Sequence, residues 1–355
     1  MYGKLRYGWM LAMAVLLLGS AACRKWLPDS VDYLSPKAVY TQKLFNPILG
    51  RTTVFSRVFN TDNSSTPITF KIVNVRYRSN GQPTQDLEKV IPVWVWKQGY
   101  TGDEKSLAEI EAKRQLENHP VWEIREKSGD FILWAQADST MLRQYPDSGY
   151  LFDVVAANSG GTNTYRDLTL TPTRELPYSP ATDIDPTTGQ PAMEYPNPGD
   201  SSKFLYKYVH PAISNILGDS TERPVISDSV RVVFHKTGDG NSLTFKFLGK
   251  DSLPINPAMF RTTGSLDSLV HGFNVKATAQ YIRYDVAYPI PVINYPTRWT
   301  TSDGSQARVH FSYDRKGFGG NRQTAAIDFA FSIYQKGDWE IIFYFFSDNP
   351  RFRDE

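Results

Sequence analysis

The chain has 355 residues, of which 39 are Lys or Arg, 37 are Asp or Glu, 41% are hydrophobic, 14% are aromatic and one is cysteine. This apolar content excludes a wholly disordered chain. The one long apolar run, near the start, excludes a polytopic helical membrane protein, and a lone cysteine excludes an intrachain disulfide framework.

Lys4 and Arg6 precede a ten-residue apolar stretch, residues 9–18, and then the small residues Gly19, Ser20, Ala21 and Ala22. This is the three-part pattern of an export signal over residues 1–22. Its apolar core is short for a bilayer crossing, which takes about 20 residues. Cys23 follows at the cleavage point and has no partner for a disulfide. The pattern resembles the lipobox of bacterial lipoproteins, with Ser20 standing where Leu is usual. That resemblance implies cleavage before Cys23, lipidation of its thiol and acylation of its new amine. Ordinary cleavage after Ala22, leaving a free thiol, is the alternative. Several acyl chains on one Cys suffice for a stable membrane anchor.

Loss of residues 1–22 removes Lys4 and Arg6 and no acid, leaving 37 basic and 37 acidic side chains. A neutral chain lacks the positive field that drives nucleic-acid association, so no nucleic-acid partner is expected. Residues 23–37 hold two prolines and little periodicity and read as a flexible tether. Arg24 stands where an Asp would resemble an inner-membrane retention cue. The expected location is the outer membrane, with its face left open.

Residues 38–173 form a first apolar-rich block. Ile68, Phe70 and Ile72 alternate with polar residues, the period of a half-buried strand. Val93, Trp94, Val95 and Trp96 make a short run apolar on both faces. Thr101 and Glu104 have the spacing of a capping box, which predicts an inserted helix over 104–117 with Glu109 and Lys113 as an i,i+4 ion pair. Tyr150, Phe152 and Val154 then lead through Asn158-Ser159-Gly160-Gly161 into a strand bearing Leu168 and Leu170, a hairpin pattern.

Residues 174–203 carry six prolines and no sustained apolar period. They read as an extended linker, or as a long loop laid across one domain. Residues 204–355 form a second block. Val230, Val232 and Phe234 pass through a Gly/Asp-rich turn to Leu243, Phe245 and Phe247, which predicts a hairpin. Val275, Ala277, Ala279 and Tyr281 mark a strand, as do Val309, Phe311 and Tyr313. Ile327, Phe329, Phe331 and Ile333 lead through Lys336-Gly337-Asp338 to Trp339, Ile341, Phe343 and Phe345, a second predicted hairpin. Short strands with Gly/Pro punctuation predict an all-β protein. The expectation is two tandem β-sandwich domains, immunoglobulin-like or jelly-roll-like, the first with one inserted helix.

Chemistry-bearing motifs are sparse. The five histidines, His119, His210, His235, His271 and His310, lack ligand spacing. His119 and His210 precede prolines, which favours loops; His235 and His310 fall on predicted strands. There is no GxSxG elbow, HExxH or phosphate loop, and Gly317-Phe318-Gly319-Gly320 reads as a hairpin loop rather than an anion site. No cofactor is expected. Asp183 and Asp185 could share a calcium ion, but the rest of a calcium loop is missing, and solvated turn acids are the plainer reading. Trp94, Trp96, Trp122, Trp134 and Trp299 are candidate ligand-stacking residues, because exposed rings can stack on pyranose faces. Core packing competes for each of them.

The Cys23-Arg-Lys-Trp-Leu-Pro28 start, the Pro47-Ile-Leu-Gly-Arg51 segment, the run Tyr165-Arg-Asp-Leu-Thr-Leu-Thr-Pro172 and the Asp183-Ile-Asp-Pro186 stretch together resemble an uncharacterised Bacteroidota lipoprotein family of about this length. Its members sit beside outer-membrane uptake systems of the starch-utilisation type. The resemblance implies a glycan- or nutrient-binding accessory role and supplies no catalytic residues. The leading expectation is therefore a non-catalytic, lipid-anchored binding protein. The alternatives are a structural lipoprotein docking to a transporter or neighbouring lipoprotein, and a glycoside hydrolase using a carboxylate pair.

Overall fold

The computed structural model describes residues 32–197, 200–260 and 266–354. The signal, Cys23 and the first part of the tether lie outside them. The first block contains β1 (Val39–Tyr40), β2 (Leu44–Phe45), β3 (Thr53–Phe55), β4 (Phe59–Asn60), β5 (Thr69–Tyr77), β6 (Val90–Trp96), α1 (Leu107–Ala112), β7 (Arg114–Pro120), β8 (Trp122–Ile124), β9 (Phe131–Leu133), β10 (Tyr150–Asn158) and β11 (Gly161–Leu170). A sheet of order β2-β11-β10-β5 faces a three-stranded sheet β3-β9-β8. Aromatic rings fill the space between them: Phe45 meets Phe55 at 5.0 Å, and Phe131 meets Phe152 at 5.5 Å. Trp122 stacks on Phe131 with the rings 5.1 Å apart.

The chain enters this sandwich earlier than its tether-like composition suggests. Leu34 and Ser35 are buried. Asn158 and Asn163 donate their side-chain N–H groups to the carbonyls of Tyr33 and Ser35, at 3.1 and 3.0 Å. Residues 32–37 are thus part of the first sandwich, packed beside the β10–β11 turn.

The second block contains β12 (Tyr178–Ser179), β13 (Met193–Asn197), β14 (Asp200–Tyr206), β15 (Ala212–Ser214), β16 (Val230–Gly238), β17 (Ser242–Leu248), β18 (Phe273–Ala277), β19 (Ile282–Asp285), β20 (Ala307–Lys316), β21 (Arg322–Ile333) and β22 (Asp338–Phe345). A five-stranded sheet, β16-β22-β17-β19-β18, faces a sheet in which β21 pairs with β20, β12 and β15. Phe343 of β22 meets Phe311 of β20 at 5.7 Å and Phe329 of β21 at 5.8 Å across the layer. The protein is all-β, built as sandwiches with two separate aromatic cores.

Two expected hairpins are replaced by other pairings. The 239–241 turn does reverse the chain, but β16 and β17 are not neighbours. β22 lies between them, antiparallel to β16 and parallel to β17. Asp338, the first residue of β22, causes this locally. Its carboxylate accepts from Ser242 Oγ at 2.6 Å and from Gly240 N–H at 3.0 Å, which ties the turn to the start of the inserted strand. A Cβ on Gly240 would sit 2.5 Å from that carboxylate, so a larger residue there would displace Asp338 from the turn. The Lys336-Gly337-Asp338 turn likewise does not pair β21 with β22 but carries the chain from one sheet to the other. Trp339 Nε1–H donates to Gln335 O at 2.9 Å and holds the crossing. The partner of β21 is β20, joined through residues 317–321. Residues 275–281, read as one strand, are the end of β18 and a turn that leads into β19.

The first part of the Pro-rich stretch 174–203 is packed. Tyr178 is buried in the second core and stacks on Phe234 at 4.1 Å, and β12 pairs with β21. Ala181 and Ile184 pack against the same core. Residues 178–184 thus pack on the second sandwich, and the β13–β14 ribbon comes after them.

The predicted helix is the largest local correction. α1 spans six residues, and residues 114–120 are strand β7, paired with β6. His119 is therefore on a strand, not in a loop. Beyond Ala112 the pattern offers Leu116 as its one large aliphatic residue, too little for an amphipathic stripe. The Glu104 carboxylate accepts from the N–H groups of Thr101 and Gly102 at 3.0 and 2.9 Å. Its ion pair is with Lys113, which is therefore not Glu109's partner. The helix starts later, where Ser106 Oγ accepts from Glu109 N–H at 3.2 Å and the Glu109 carboxylate accepts from Lys105 N–H at 2.7 Å.

Candidate binding face and junction arm

Strands β6 and β7 form a two-stranded antiparallel ribbon, and with the intervening loop and α1 they make an arm between the two sandwiches. Register pairs Val90 with Pro120, Pro92 with Asn118, Trp94 with Leu116 and Trp96 with Arg114. Side chains alternate along each strand, so these residues share one face. The other face carries Ile91 and Val93, both buried in the first core. The shared face is open: Val90 is 63% exposed, Trp94 49% and Leu116 52%. Lys97 N–H donates to Lys113 O and Val121 N–H to Lys89 O, which places the hydrogen-bonded pairs at odd positions. The backbone groups of Trp94, Leu116 and Asn118 therefore point outward from the ribbon edges.

Trp96 continues this face inward. It is half-buried, its ring lies 5.3 Å from the Arg114 guanidinium and 6.1 Å from Tyr100. Arg114 pairs with Glu111 and donates to Tyr288 O at 2.7 Å, bridging to the second sandwich. Tyr100, Ile110, Ala287 and Val292 form a small core of their own at this junction. There His271 is buried, with Nδ1 2.5 Å from the Tyr100 hydroxyl and Nε2 2.8 Å from Glu104 O. Trp299 stacks on His271 at 5.5 Å, carries the Arg298 guanidinium 4.3 Å from its own ring, and donates Nε1–H to Gly102 O at 3.3 Å. Gly102 has φ +84° and sits so close to Thr297 that a Cβ would lie 2.9 Å from its methyl.

Electrostatics at the junction follow from burial and pairing. Desolvation opposes ionisation of Glu104, but Lys113 and the two backbone donors outweigh it and hold the carboxyl at about 2. Burial pushes the Tyr100 hydroxyl well above its ordinary range. Burial, with Arg298 adding to it, lowers His271 against the opposing pull of Glu104 and Asp103.

The five candidate tryptophans therefore separate. Trp94, Trp96 and Trp299 are brought into one region, with Trp94 open and the other two half-buried. Trp122 and Trp134 are core residues of the first sandwich, and Trp134 Nε1–H donates to Glu123 at 2.9 Å. Asp183 and Asp185 do not act as a pair. Asp183 accepts from the Tyr178 hydroxyl at 2.8 Å and is pushed up by burial. Asp185 accepts from the N–H groups of Thr187 and Thr188, the pattern of a turn acid. Among the described residues no group of three or more His, Cys, Asp or Glu side chains is arranged to hold a metal ion. Cys23 lies outside the described residues.

Tyr100, Glu104, Arg114 and His271 were not legible as a group. Tyr100, Glu104 and Arg114 share one stretch of the arm, but His271 lies 171 positions from Tyr100, and no spacing signals that they meet. An open cleft of about 430 Å³ lies elsewhere on the second sandwich, lined by Ile213, Leu217, Pro224, Ile226, Arg315 and Gln323. It contains none of the residues singled out from the sequence.

The fold and the arm define a class: an all-β sandwich protein with a ribbon face that is open among the described residues. Residues 59–354 match the family described as Domain of unknown function (DUF5007), and the chain belongs to that family. No curated protein and no solved structure matches it.

Proposed function

We propose that the protein is a lipid-anchored, non-catalytic accessory protein of the outer membrane that binds a glycan or another nutrient on the open face of the β6–β7 ribbon. The observation that carries this reading is Trp94: a half-exposed indole on a ribbon whose opposite face is fixed in the first core. A flat ring held on a rigid element loses little entropy on contact, which suits stacking on a sugar face. The lipobox-like residues before Cys23 support the anchor. The resemblance to Bacteroidota lipoproteins of starch-utilisation-type loci supports the substrate class and the outer-membrane location.

The test is affinity electrophoresis of the purified protein through a panel of plant and host polysaccharides. Retardation by at least one polysaccharide, lost in Trp94→Ala with thermal stability kept, is the expected result. Unretarded migration in every gel rejects glycan binding. Release of reducing sugar by the pure protein would move the assignment to a carboxylate-dependent hydrolase.

A second reading, docking to a transporter or neighbouring lipoprotein, is favoured by the aliphatic neighbours of Trp94 and by the outward backbone groups of Leu116 and Asn118. Exposed apolar patches and open strand edges are the usual ground for protein contacts. Pull-down from detergent-solubilised membranes separates the two, because a stable protein partner is required only by this one.

A further inference from the structure

We propose that the junction is an acid-sensitive latch: neutral His271 docks the arm of the first sandwich onto the second, and protonation of its ring loosens that dock. The inference does not depend on what the ribbon face binds.

The geometry specifies the neutral ring. A backbone carbonyl can only accept, so the contact with Glu104 O places a proton on Nε2. Nδ1 is then a bare lone pair, and the Tyr100 hydroxyl donates to it. In this form both ring nitrogens and the Tyr100 O–H are satisfied together. A second proton turns Nδ1 into a donor. Tyr100 must then reverse its hydroxyl, and His271 is that hydroxyl's one hydrogen-bond partner among the described residues. The reversed O–H would point into the small apolar core that buries Tyr100, with the cost of an unpaired buried donor.

The surroundings set the balance of charge. Glu104 and Asp103, on the arm, attract a protonated ring. Arg298, beside Trp299 on the second sandwich, repels it. Lys113 already neutralises Glu104. His271 is 6% exposed, so burial adds to the repulsion and holds the ring below its ordinary 6.5. The sign follows: a histidine with a lowered folded value favours the docked state above pH 6.5, and that contribution is lost as pH falls below 6.5.

Backbone strain adds a reason to let go. Val270 and His271 both have left-handed φ, +51° and +56°. That region is costly for residues with a Cβ and most costly for a branched one. The dock offsets this strain, so loosening it leaves the 266–272 segment free to relax. The arm's other holds on the second sandwich include the 2.7 Å Arg114–Tyr288 bond, the 3.3 Å Trp299–Gly102 bond and the junction's apolar contacts.

The experiment is hydrogen exchange on the full chain at pH 7.5 and 5.0, corrected for intrinsic rates, comparing the native protein with His271→Gln. Glutamine offers an acceptor to Tyr100 and a donor to Glu104 but does not titrate. The expected result is a tenfold or larger loss of protection over residues 99–113 at pH 5.0 in the native protein, with β10 unchanged and with protection retained in the variant. Equal protection at the two pH values, or the same loss in His271→Gln, overturns the latch. Should the variant dock poorly at pH 7.5, an NMR titration of the His271 ring decides. A midpoint below 6.5 that coincides with the loss of protection supports the proposal, and a midpoint above 6.5 overturns it.

Discussion

The two faces of strand β6 are both apolar, yet they have opposite fates. Ile91 and Val93 are sealed into the first core, while Val90 and Trp94, next to them on β6, and Leu116, across from Trp94 on β7, look into solvent. Folding accounts for the first set, because burying an aliphatic side chain is worth about 1.5–3 kcal/mol. Among the described residues, the second set stays exposed. The contrast separates residues whose burial stabilises the fold from residues on which the proposed binding role rests.

Mutations can break or sharpen this contrast. The largest expected effect lies in the core against which the ribbon's buried face packs. Trp122→Ala removes a side chain stacked on Phe131 and should cost about 3–5 kcal/mol in urea unfolding. A loss below 1 kcal/mol would mean that the core does not rest on this ring. Next is the base of the arm, where Glu104 is held at about 2. Its ionised form stabilises the fold above the unfolded carboxyl value of 4.5, and that stabilisation is lost as pH falls from 4.5 towards 2. Glu104→Gln should remove a pH-dependent term of roughly 2–3 kcal/mol over that window. An identical pH profile for variant and native protein would show that the Lys113 pair contributes nothing. Val93→Ala, on the sealed face, should then cost about 1–2 kcal/mol, from two lost methyls and the space they leave. Trp94→Ala, on the open face, should change stability by no more than about 0.5 kcal/mol while abolishing polysaccharide retardation. A stability cost equal to that of Val93→Ala would erase the distinction between the faces.

Strand identity was largely readable, because period-two burial leaves its mark in every window: β22 alternates buried and half-buried residues along its whole length. Pairing was not. The β10–β11 hairpin is local and was legible from its Asn-Ser-Gly-Gly turn. The place of β22 between β16 and β17 depends on Asp338 reaching a turn about a hundred residues upstream. The inserted helix was overread because Glu104 has helix-start spacing but spends its carboxylate on a loop and on Lys113. Among the site residues, Trp94 was visible as a candidate, yet its exposure was not, since Val93-Trp94-Val95-Trp96 is apolar on both sides. Tyr100 and His271 meet across 171 positions, and no local pattern records such a meeting.

Were Cys23 acylated, the early docking of residues 32–37 would set how far the molecule can stand from a bilayer. Nine residue steps separate Cys23 from Asp32, which already touches the Gly160 turn. Even fully stretched, such a leash reaches only about 30 Å. With Cys23 acylated, the hairpin end of the first sandwich would ride close over the lipid headgroups, and the protein would survey a shallow layer of space rather than range freely above the membrane.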